Sequence, residues 1–349
     1  MNNENRFYSR QTKLIGPEGQ SRLNKASVLV VGAGGLGCPV LQYIAAMGVG
    51  IIGIIDNDNV DISNLHRQIL YSPKDIGASK AEVAALKISE QNPFIKVNFF
   101  NEKLTKKNAI DLFESYEIII DCTDNFETKF LVHDICYSLK KILVQASLYQ
   151  YEGNLHVFDF KNIESFAKGP CLRCLWTREP EEGCIGTCAD VGIIGATAGV
   201  LGSLQAMEVA KIILGNRYLK NGEGLFIDLI SQDHEKRRWK KNTECPFCSG
   251  VHVAISLNDQ YQLTINEVAS ELVWIDLRSN EEIVECPINS PEIIHMPFND
   301  FNVSKLSKSN KYLLICHKGH RSNQLTRALR ELGYDNLFSL VDGVKSLLK

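Results

Sequence analysis

The residues best suited to chemistry form one short segment near the end of the sequence, residues 316–322, which read Cys-His-Lys-Gly-His-Arg-Ser. An apolar run at 312–315 predicts a strand before the cysteine, and a helical pattern at 323–332 follows the loop. A loop between a strand and a helix N-terminus directs backbone N–H groups at one sulfur, which stabilises a thiolate. We therefore predict that Cys316 is a nucleophile.

A glycine-rich segment lies near the other end of the chain. Gly32, Gly34, Gly35 and Gly37 separate a strand pattern at 27–31 from an apolar helical pattern at 36–47. Their G-x-G-x-x-G spacing allows a tight turn and lets a phosphate approach a helix N-terminus. Asp56 ends a second strand pattern at 51–55, where an acid that binds ribose is expected. The loop alone indicates a nucleotide site, and NAD is its first candidate ligand.

A polar cluster at 64–68 moves this prediction toward ATP. It contains Asn64, Arg67 and Gln68, and Lys80 follows later in the chain. An amide and two cations suit a triphosphate from which pyrophosphate departs. The competing interpretation is that Arg67 and Lys80 are ordinary solvated surface charges.

A second polar cluster, residues 121–125, closes another strand pattern at 118–121. Ligands of open α/β sheets bind at the carboxyl ends of their strands. We therefore predict that Asp124 binds Mg²⁺ and that Asn125 lines the nucleotide site. The alternative for Asp124 is a helix cap.

Two C-x-x-C pairs, Cys171 with Cys174 and Cys245 with Cys248, have the local spacing of a tetrahedral zinc site. A gap of 70 residues separates the pairs, so the sequence does not prove that they converge. A redox C-x-x-C and two unrelated pairs remain open as alternatives. Neither pair has the strand-then-helix context of a redox site, and a structural zinc site is the prediction.

The composition limits the classes of protein that fit. With 349 residues and a net charge of −3, the chain predicts two domains and no direct binding of nucleic acid. No uninterrupted apolar run approaches the length of a membrane span, and the polar N-terminus resembles no signal peptide. Eleven cysteines without an export signal indicate reduced thiols and a cytoplasmic protein.

Alternating strand and helix patterns predict an α/β fold with a mainly parallel, Rossmann-like sheet. Further strands are expected at 97–100, 118–121, 142–146 and 155–160, and a small-residue-rich helix at 192–214. A second alternation begins at 272–276, after the last cysteine pair. We expect an ATP-binding domain at 1–250 and a small α/β domain at 258–349.

The motifs of the first domain, together with residues 6–11 (Arg-Phe-Tyr-Ser-Arg-Gln), resemble the ubiquitin-activating-enzyme-like adenylyltransferases of the MoeB, ThiF and HesA group. The resemblance covers residues 6–250 and favours ATP over NAD. It implies adenylation of the C-terminal glycine of a small ubiquitin-like protein. It also implies roles for individual residues: Gly35 and its loop bind phosphate, Asp56 binds ribose, Asn64, Arg67 and Lys80 bind the phosphates, Asp124 binds Mg²⁺, and Arg10 reaches the phosphates of the other subunit in a homodimer.

The same resemblance bears on the remaining cysteines of this domain. The two C-x-x-C pairs fall where relatives carry a structural zinc. Cys188 lies in a segment that resembles the family's crossover segment, whose cysteine forms a sulfur link in some members and is dispensable in others. Cys184, four residues upstream, is an addition to the pattern. A catalytic Cys188 and an unreactive loop cysteine both stay open.

The second domain resembles rhodanese-like domains in its strand-and-turn opening at 274–282 and in the C-x-x-G-x-R-S loop that begins at Cys316. This resemblance implies that Cys316 carries a persulfide, stabilised by loop N–H groups with Arg321 nearby. We therefore expect an ATP-dependent adenylyltransferase and sulfurtransferase that converts a sulfur-carrier protein ending in Gly-Gly to a thiocarboxylate. A cysteine desulfurase or a similar donor would supply the sulfur. The alternative is an activating adaptor for a ubiquitin-like partner, with a non-catalytic rhodanese domain.

Overall fold

Strands and helices alternate along the chain in the computed structural model, which describes residues 3–162, 169–176, 192–245, 247–248, 261–269, 271–288, 293–307, 309–317, 319–341 and 343–347. The chain divides into two compact units, Met1–Ile255 and Ser256–Lys349.

The first unit contains eight strands and eight α-helices in its described part. The strands are β1 (Ser27–Val31), β2 (Ile51–Ile55), β3 (Lys96–Phe100), β4 (Ile118–Asp121), β5 (Ile142–Tyr149), β6 (Glu152–Asp159), β7 (Glu223–Asp228) and β8 (Asp233–Arg238). The helices are α1 (Asn3–Phe7), α2 (Ser9–Lys25), α3 (Gly37–Ala46), α4 (Lys80–Gln91), α5 (Lys106–Glu114), α6 (Phe126–Ser138), α7 (Leu172–Leu175) and α8 (Gly195–Leu214). Short 3-10 turns lie at Ile62–Asn64 and Pro73–Asp75.

One sheet runs through this unit in the order β3-β2-β1-β4-β5-β6-β7-β8. The first five strands are parallel and the last three pair antiparallel. Val31 at the end of β1 pairs with Ile55 of β2 and with Asp121 of β4, so three strands end side by side. The strand order reverses between β1 and β4, and such a switch point is where open α/β sheets bind ligands. The expected mainly parallel α/β fold is confirmed.

The sheet is covered on both faces, as its parallel part requires. Successive residues of β1 point to opposite sides: Val28 and Val30 join one apolar core, and Leu29 and Val31 join the other. The first core includes α3, α4 and α8, and the second includes α5, α6 and the cysteine pairs. The glycine loop and the cysteine cluster are therefore attached to the same sheet.

Helix α8 begins three residues later than predicted, at Gly195. It is the one helix in the described ranges whose length and composition would allow a membrane span. Of its apolar 18-residue stretch, 44% is buried inside the protein. The core helix of a soluble protein can have the same length and composition. Ala198, Leu201 and Gln205 are fully buried, and a Cβ added to Gly202 would lie 2.6 Å from the Leu36 carbonyl oxygen. Glycine thus lets α8 pack closely on the start of α3.

The second unit contains a five-stranded parallel sheet in the order β11-β10-β12-β13-β9. Its strands are β9 (Gln262–Leu263), β10 (Val273–Asp276), β11 (Ile293–His295), β12 (Tyr312–Ile315) and β13 (Leu337–Leu340). Its helices are α9 (Asn280–Glu285) and α10 (His320–Glu331), and 3-10 turns lie at Ile265–Glu267, Phe298–Asp300, Val303–Lys305 and Gly343–Leu347. The predicted strand before Cys316 is confirmed, whereas the following helix starts at His320 rather than Asn323.

Candidate functional site

The glycine loop connects β1 to α3 at the switch point of the sheet. Gly32 has a φ of +91°, a conformation that favours glycine. A Cβ added to Gly37 would lie 2.1 Å from the Gly32 carbonyl oxygen, so any side chain there would displace the loop. These glycines bring the loop backbone and the N-terminus of α3 to the carboxyl edge of the sheet, which is a geometry for binding phosphate.

Asp56 joins the end of β2 to this loop. Its carboxylate accepts hydrogen bonds from the Ala33 backbone N–H at 2.7 Å and from the Asp58 N–H at 2.8 Å. Burial raises the pKa of Asp56, while the charge of Lys80 opposes this rise. The carboxylate of Asp56 is therefore held against the glycine loop, where a ribose would lie if phosphate binds at α3.

Lys80 lies at the first position of α4 and is almost completely buried, with 5% of its surface exposed. Its Nζ donates to Asp58 Oδ2 at 2.9 Å. Tyr71 connects the same region to the glycine loop, because its hydroxyl lies 2.8 Å from the Ala33 carbonyl oxygen and 3.1 Å from that of Lys80. Sequence reasoning missed Asp58 and Tyr71. For Asp58, the sequence offered one signal, because this residue forms an acidic pair with Asp56 two positions earlier.

The 64–68 cluster lies directly against the glycine loop. A Cβ on Gly35 would contact the Arg67 side chain at 3.7 Å, and one on Gly34 would lie 3.6 Å from Gln68 Nε2. Arg67 Nη1 donates to the Ser63 carbonyl oxygen at 3.1 Å, and Asn64 Nδ2 contacts Ser63 Oγ at 3.2 Å. The Gln68 amide is buried, and among the described residues its Oε1 has no hydrogen-bond partner. An unsatisfied buried amide oxygen beside this loop fits a polar ligand.

Asp121, at the end of β4, is fully buried and accepts several hydrogen bonds. Thr123 donates to Oδ1 from its backbone N–H at 2.9 Å and from its hydroxyl at 2.6 Å. Gln145 Nε2 donates to Oδ2 at 2.7 Å, and Lys129 Nζ does so at 3.2 Å. Both carboxylate oxygens are therefore occupied within the protein, and Asp121 binds both the 122–125 turn, through Thr123, and α6, through Lys129.

Asp124 lies on this turn and differs from Asp121 in being exposed. The helix cap that follows is Asn125, whose side-chain oxygen accepts the Thr128 N–H at 2.9 Å. Asp124 is thus not the cap of α6, and it lies exposed on the turn that follows the carboxyl end of β4. An exposed carboxylate at a nucleotide-binding edge fits Mg²⁺, which prefers one or two carboxylates together with phosphate oxygens.

The four cysteines of the two C-x-x-C pairs converge despite their separation in sequence. Their sulfur atoms all lie within 4.8 Å of one another, and individual Sγ–Sγ distances are 3.8 Å for Cys171–Cys174, 3.7 Å for Cys171–Cys245 and 3.4 Å for Cys174–Cys248. A hydrogen bond from Cys171 lowers the pKa of the Cys248 thiol to about 5. Zn–S bonds of about 2.3 Å in a tetrahedron place sulfurs about 3.8 Å apart, so the cluster fits zinc.

Helix α6 anchors this cluster to the sheet. The Leu172 N–H donates to His133 Nε2 at 3.0 Å, which leaves Nδ1 as the protonated nitrogen that donates to Asp134 at 2.9 Å. Arg173 makes a two-pronged ion pair with Asp134, with Nη2–Oδ2 at 2.6 Å. Burial raises the pKa of Asp134, but the hydrogen bonds from His133 and Arg173 outweigh this and lower it overall. The intervening residues of the first C-x-x-C pair thus dock on α6.

In the second unit, Cys316 follows β12 and is almost completely buried, with 1% exposed. The Ser322 backbone N–H donates to Cys316 Sγ at 3.5 Å, and the Ser322 hydroxyl lies 3.6 Å from the same sulfur. Gly319 has a φ of +86° and precedes α10, so the helix N-terminus faces the loop. Ser339 of β13 donates to the Ser322 hydroxyl at 3.0 Å. This arrangement provides the N–H contact to sulfur that the loop pattern predicts, and Ser339 is an addition that the sequence did not indicate.

Arg321 pairs with Glu282 of α9, so part of its guanidinium binds a carboxylate rather than the sulfur. Burial raises the pKa of Glu282, but the hydrogen bond from Arg321 outweighs this and lowers it overall. Nearby, Arg278 is buried and makes a two-pronged ion pair with Asp276, with Nη2–Oδ2 at 2.8 Å. Arg278 also donates to the Cys286 carbonyl oxygen at 2.6 Å. These pairs hold α9 beside the loop of Cys316.

Cys188 and Cys184 lie outside the described residues, as does Lys318. Arg10 is described and lies exposed in the first turn of α2. Among the predicted nucleotide-binding residues, the structure places Asp56, Arg67 and Gln68 against the glycine loop and connects Lys80 to it through Tyr71. The role of Cys188 stays a prediction.

Comparison with known protein families separates the chain at the same place. The profile of the ThiF family matches residues 8–247, and that of the rhodanese-like domain matches residues 259–349. A sulfur carrier protein adenylyltransferase of Thermus thermophilus is 42% identical over 243 residues, 69% of this chain and 89% of that protein. An adenylyltransferase and sulfurtransferase MOCS3 of Aedes aegypti is 35% identical over 369 residues, 95% of this chain and 83% of that protein.

A further relative and two solved structures agree with these matches. The adenylyltransferase and sulfurtransferase UBA4 of Lodderomyces elongisporus is 32% identical over 93% of this chain and 80% of that protein. The crystal structure of E. coli MccB with ATP aligns with a TM-score of 0.58 and 21% identity, over 69% of this chain and 73% of that one. That of PaaA aligns with a TM-score of 0.58 and 19% identity, over 69% and 75%. At such identities the two structures show similarity of fold alone.

Proposed function

Because the chain belongs to the ThiF family and carries a rhodanese-like domain behind it, we propose that it activates a small ubiquitin-like sulfur-carrier protein in two steps. ATP adenylates the C-terminal glycine of the carrier, and a persulfide on Cys316 then converts the adenylate to a thiocarboxylate. The observation that carries this proposal is the shared edge of β1, β2 and β4. There the glycine loop, bound by Asp56, follows β1, and the turn that contains the exposed Asp124 follows β4, in a chain that also holds a cysteine in a strand–helix loop.

In the first step, a carboxylate oxygen of the carrier's Gly-Gly tail attacks the α-phosphorus of ATP, and pyrophosphate leaves. Asp56 receives the ribose, and the glycine loop receives the phosphates at the start of α3. Arg67 and Lys80 offset the charge that develops on the departing pyrophosphate. Mg²⁺ bound at Asp124 would neutralise further phosphate charge. Asn64, Gln68 and Asn125 complete the polar lining of the site.

In the second step, the terminal sulfur of the Cys316 persulfide attacks the acyl carbon, and AMP leaves. The product is an acyl disulfide that joins Cys316 to the carrier. A second thiol, Cys188 or an external one, then attacks the Cys316 sulfur. This forms a new disulfide and releases the carrier thiocarboxylate. The Ser322 N–H at 3.5 Å from the Cys316 sulfur supports an anion at that position. An external thiol then reduces this new disulfide and returns Cys316 to the free thiol, which a cysteine desulfurase or a similar donor reloads with sulfane sulfur.

The cysteine cluster is assigned to structural zinc. Four thiolates within 4.8 Å leave no ligand position for a substrate, which is the arrangement of a closed structural site. When bound, zinc would cross-link the two distant C-x-x-C pairs. Cys171 and Cys174 lie beside α6, so the metal would fasten the end of the first unit to its body.

We also propose a homodimer in the cytoplasm. Arg10 is exposed, in keeping with a residue that serves the phosphates of a second copy. An apolar groove of about 680 Å³ lies between α3 and α8, lined in part by Tyr43, Ile69 and Val200, and Met207 lies exposed further along α8. A second copy would cover this groove. None of the nine described cysteines forms a disulfide, which suits a reducing compartment.

The test uses the full chain with a purified ubiquitin-fold protein that ends in Gly-Gly. ATP–pyrophosphate exchange that depends on this carrier is expected, and an adaptor that only binds the carrier would show none. With a sulfur donor and a reducing thiol added, the intact mass of the carrier should show replacement of one oxygen by sulfur. Carrier-dependent exchange without any gain of sulfur would restrict the proposal to adenylation.

A further inference from the structure

The N-terminal motif at residues 6–11 places one exposed cation between two anchored side chains. Arg10 is exposed, whereas Tyr8 is buried with 4% of its surface accessible. Gln11 follows directly, and its Nε2 donates to the Met47 carbonyl oxygen at 2.7 Å and to Gln20 Oε1 at 2.6 Å. The nucleotide site accounts for Arg10 in this motif and leaves Tyr8 and Gln11 without a role.

Tyr8 is held from two directions. Its hydroxyl accepts a hydrogen bond from Asn92 Nδ2 at 2.7 Å, and the same amide donates to the Ala45 carbonyl oxygen at 2.7 Å. Asn92 is completely buried. Gly48 has a φ of +85°, and a Cβ there would lie 2.7 Å from the Tyr8 hydroxyl. Only a residue without a side chain leaves space for this tyrosine ring.

Two of these contacts reach the C-terminal end of α3, one through Asn92 and one directly from Gln11. The last carbonyl groups of a helix lack donors within the helix, so side-chain donors are favourable there. Asn92 and Gln11 supply such donors to Ala45 and Met47. The N-terminus of the same helix begins at the glycine loop. The motif that contains Arg10 is therefore fixed to a rigid element of the nucleotide site rather than free in solution.

We propose that Tyr8, held by Asn92 and Gly48, is a positioning residue for Arg10. It fixes the first turn of α2 so that the Arg10 guanidinium projects at a defined place, from which it serves the ATP phosphates of a second copy of this chain. The inference rests on the proposed function, in particular on the role of Arg10. It adds a buried residue that touches no substrate and acts only through its neighbour.

The test compares two conservative variants of the full chain. Tyr8→Phe removes one hydroxyl and keeps the ring. The matched control is Tyr116→Phe, because Tyr116 is also buried, accepts a hydrogen bond from Asn98 Nδ2 at 3.2 Å, and packs over a glycine, Gly53. Tyr8→Phe is expected to raise the KM for ATP in pyrophosphate exchange about 3- to 10-fold, and Tyr116→Phe to change it less than about 2-fold.

A double-mutant cycle shows whether Tyr8 acts through Arg10. Arg10→Ala should lower kcat/KM for ATP by roughly 10- to 100-fold, and adding Tyr8→Phe to it should cause no further loss. Full additivity, or a Tyr8→Phe variant with unchanged KM, would overturn the positioning role and leave the proposed function intact. An Arg10→Ala variant with unchanged exchange would overturn both the role of Arg10 and the inference from it. Equal effects of Tyr8→Phe and Tyr116→Phe would show general destabilisation and contradict the inference.

Discussion

In the first unit, the residues proposed to bind ATP come from five separated stretches of sequence, three of which follow the ends of β1, β2 and β4. In the second unit, the proposed nucleophile and its backbone donor lie within seven consecutive residues, Cys316 to Ser322. The proposed nucleotide site is held by contacts between residues that are more than 20 positions apart, such as Lys80–Asp58 and Gln145–Asp121. The cysteine loop is held by its own backbone, by Ser339 behind it and by the Arg321–Glu282 ion pair. Substitutions at residues distant in sequence from a site should therefore impair the first site more than the second.

The largest expected effect separates the two chemistries. Lys80→Met removes a buried cation and should lower carrier-dependent ATP–pyrophosphate exchange by about 100- to 1,000-fold. Cys316→Ala should leave exchange within about 2-fold of the original rate and abolish thiocarboxylate formation, since the nucleophile acts only after adenylation. Exchange rates and the intact mass of the carrier check both. A Cys316→Ala variant that still yields thiocarboxylate would contradict the role of the loop.

Disruption of the cysteine cluster would show whether a cross-link between residues distant in sequence stabilises only the first unit. Cys245→Ser should weaken metal binding and lower the Tm of the transition of the first unit by roughly 10 °C, for a loss of about 4 kcal/mol. Calorimetry of the full chain, together with zinc content by elemental analysis, would measure this. Cys286→Ser, the same change at a half-buried thiol of the second unit, is the control. Equal shifts for the two variants, or an unchanged zinc content, would argue against the zinc site.

A buried histidine should make the first unit sensitive to acid. His156 lies on β6 beside Phe158, Phe226 and Trp239, and burial lowers its pKa from 6.5 to about 4. The unfolded chain therefore binds the proton more readily than the folded one. The free energy of unfolding is unaffected by this histidine above pH 6.5, and it falls progressively as the pH falls from 6.5 toward 4. The loss amounts to about 3 kcal/mol.

Urea unfolding of the full chain at pH 6.5 and pH 4.5 would measure the fall in the free energy of unfolding. In His156→Phe, which keeps an aromatic ring among aromatic neighbours, the fall in the free energy of unfolding between these pH values should be clearly smaller. The same fall in both proteins would show that other groups dominate the acid response.

A matched pair of glycines gives the smallest and sharpest test. A Cβ on Gly37 would lie 2.1 Å from the Gly32 carbonyl oxygen, and one on Gly343 would lie 2.1 Å from that of Cys316. Each Gly→Ala change should cost about 1–3 kcal/mol through displacement of one loop. We expect Gly37→Ala to impair exchange alone and Gly343→Ala to impair loading of Cys316 with sulfur alone. If either variant impairs both activities, the two sites are not independent in the way that the comparison implies.

Much of the fold followed from local patterns. The strands at 51–55 and 312–315 have the predicted bounds, because short apolar runs between turn residues have few alternatives. Helix ends were less accurate: α8 and α10 begin three residues away from their predicted starts. Glycines and small polar residues at those ends are compatible with both loop and helix, and tertiary contacts decide between them.

The kinds of chemistry could be predicted from local sequence, because a glycine loop, two C-x-x-C pairs and a cysteine loop each carry their geometry in a few neighbouring residues. Which residues act together depended on the folded arrangement of the chain. It joined two cysteine pairs that are 70 residues apart, paired Lys80 with Asp58, and gave the cap of α6 to Asn125 instead of Asp124. It also directed Arg321 toward Glu282. Such pairings depend on strand order and register, which bring distant segments to one edge and which no local pattern contains.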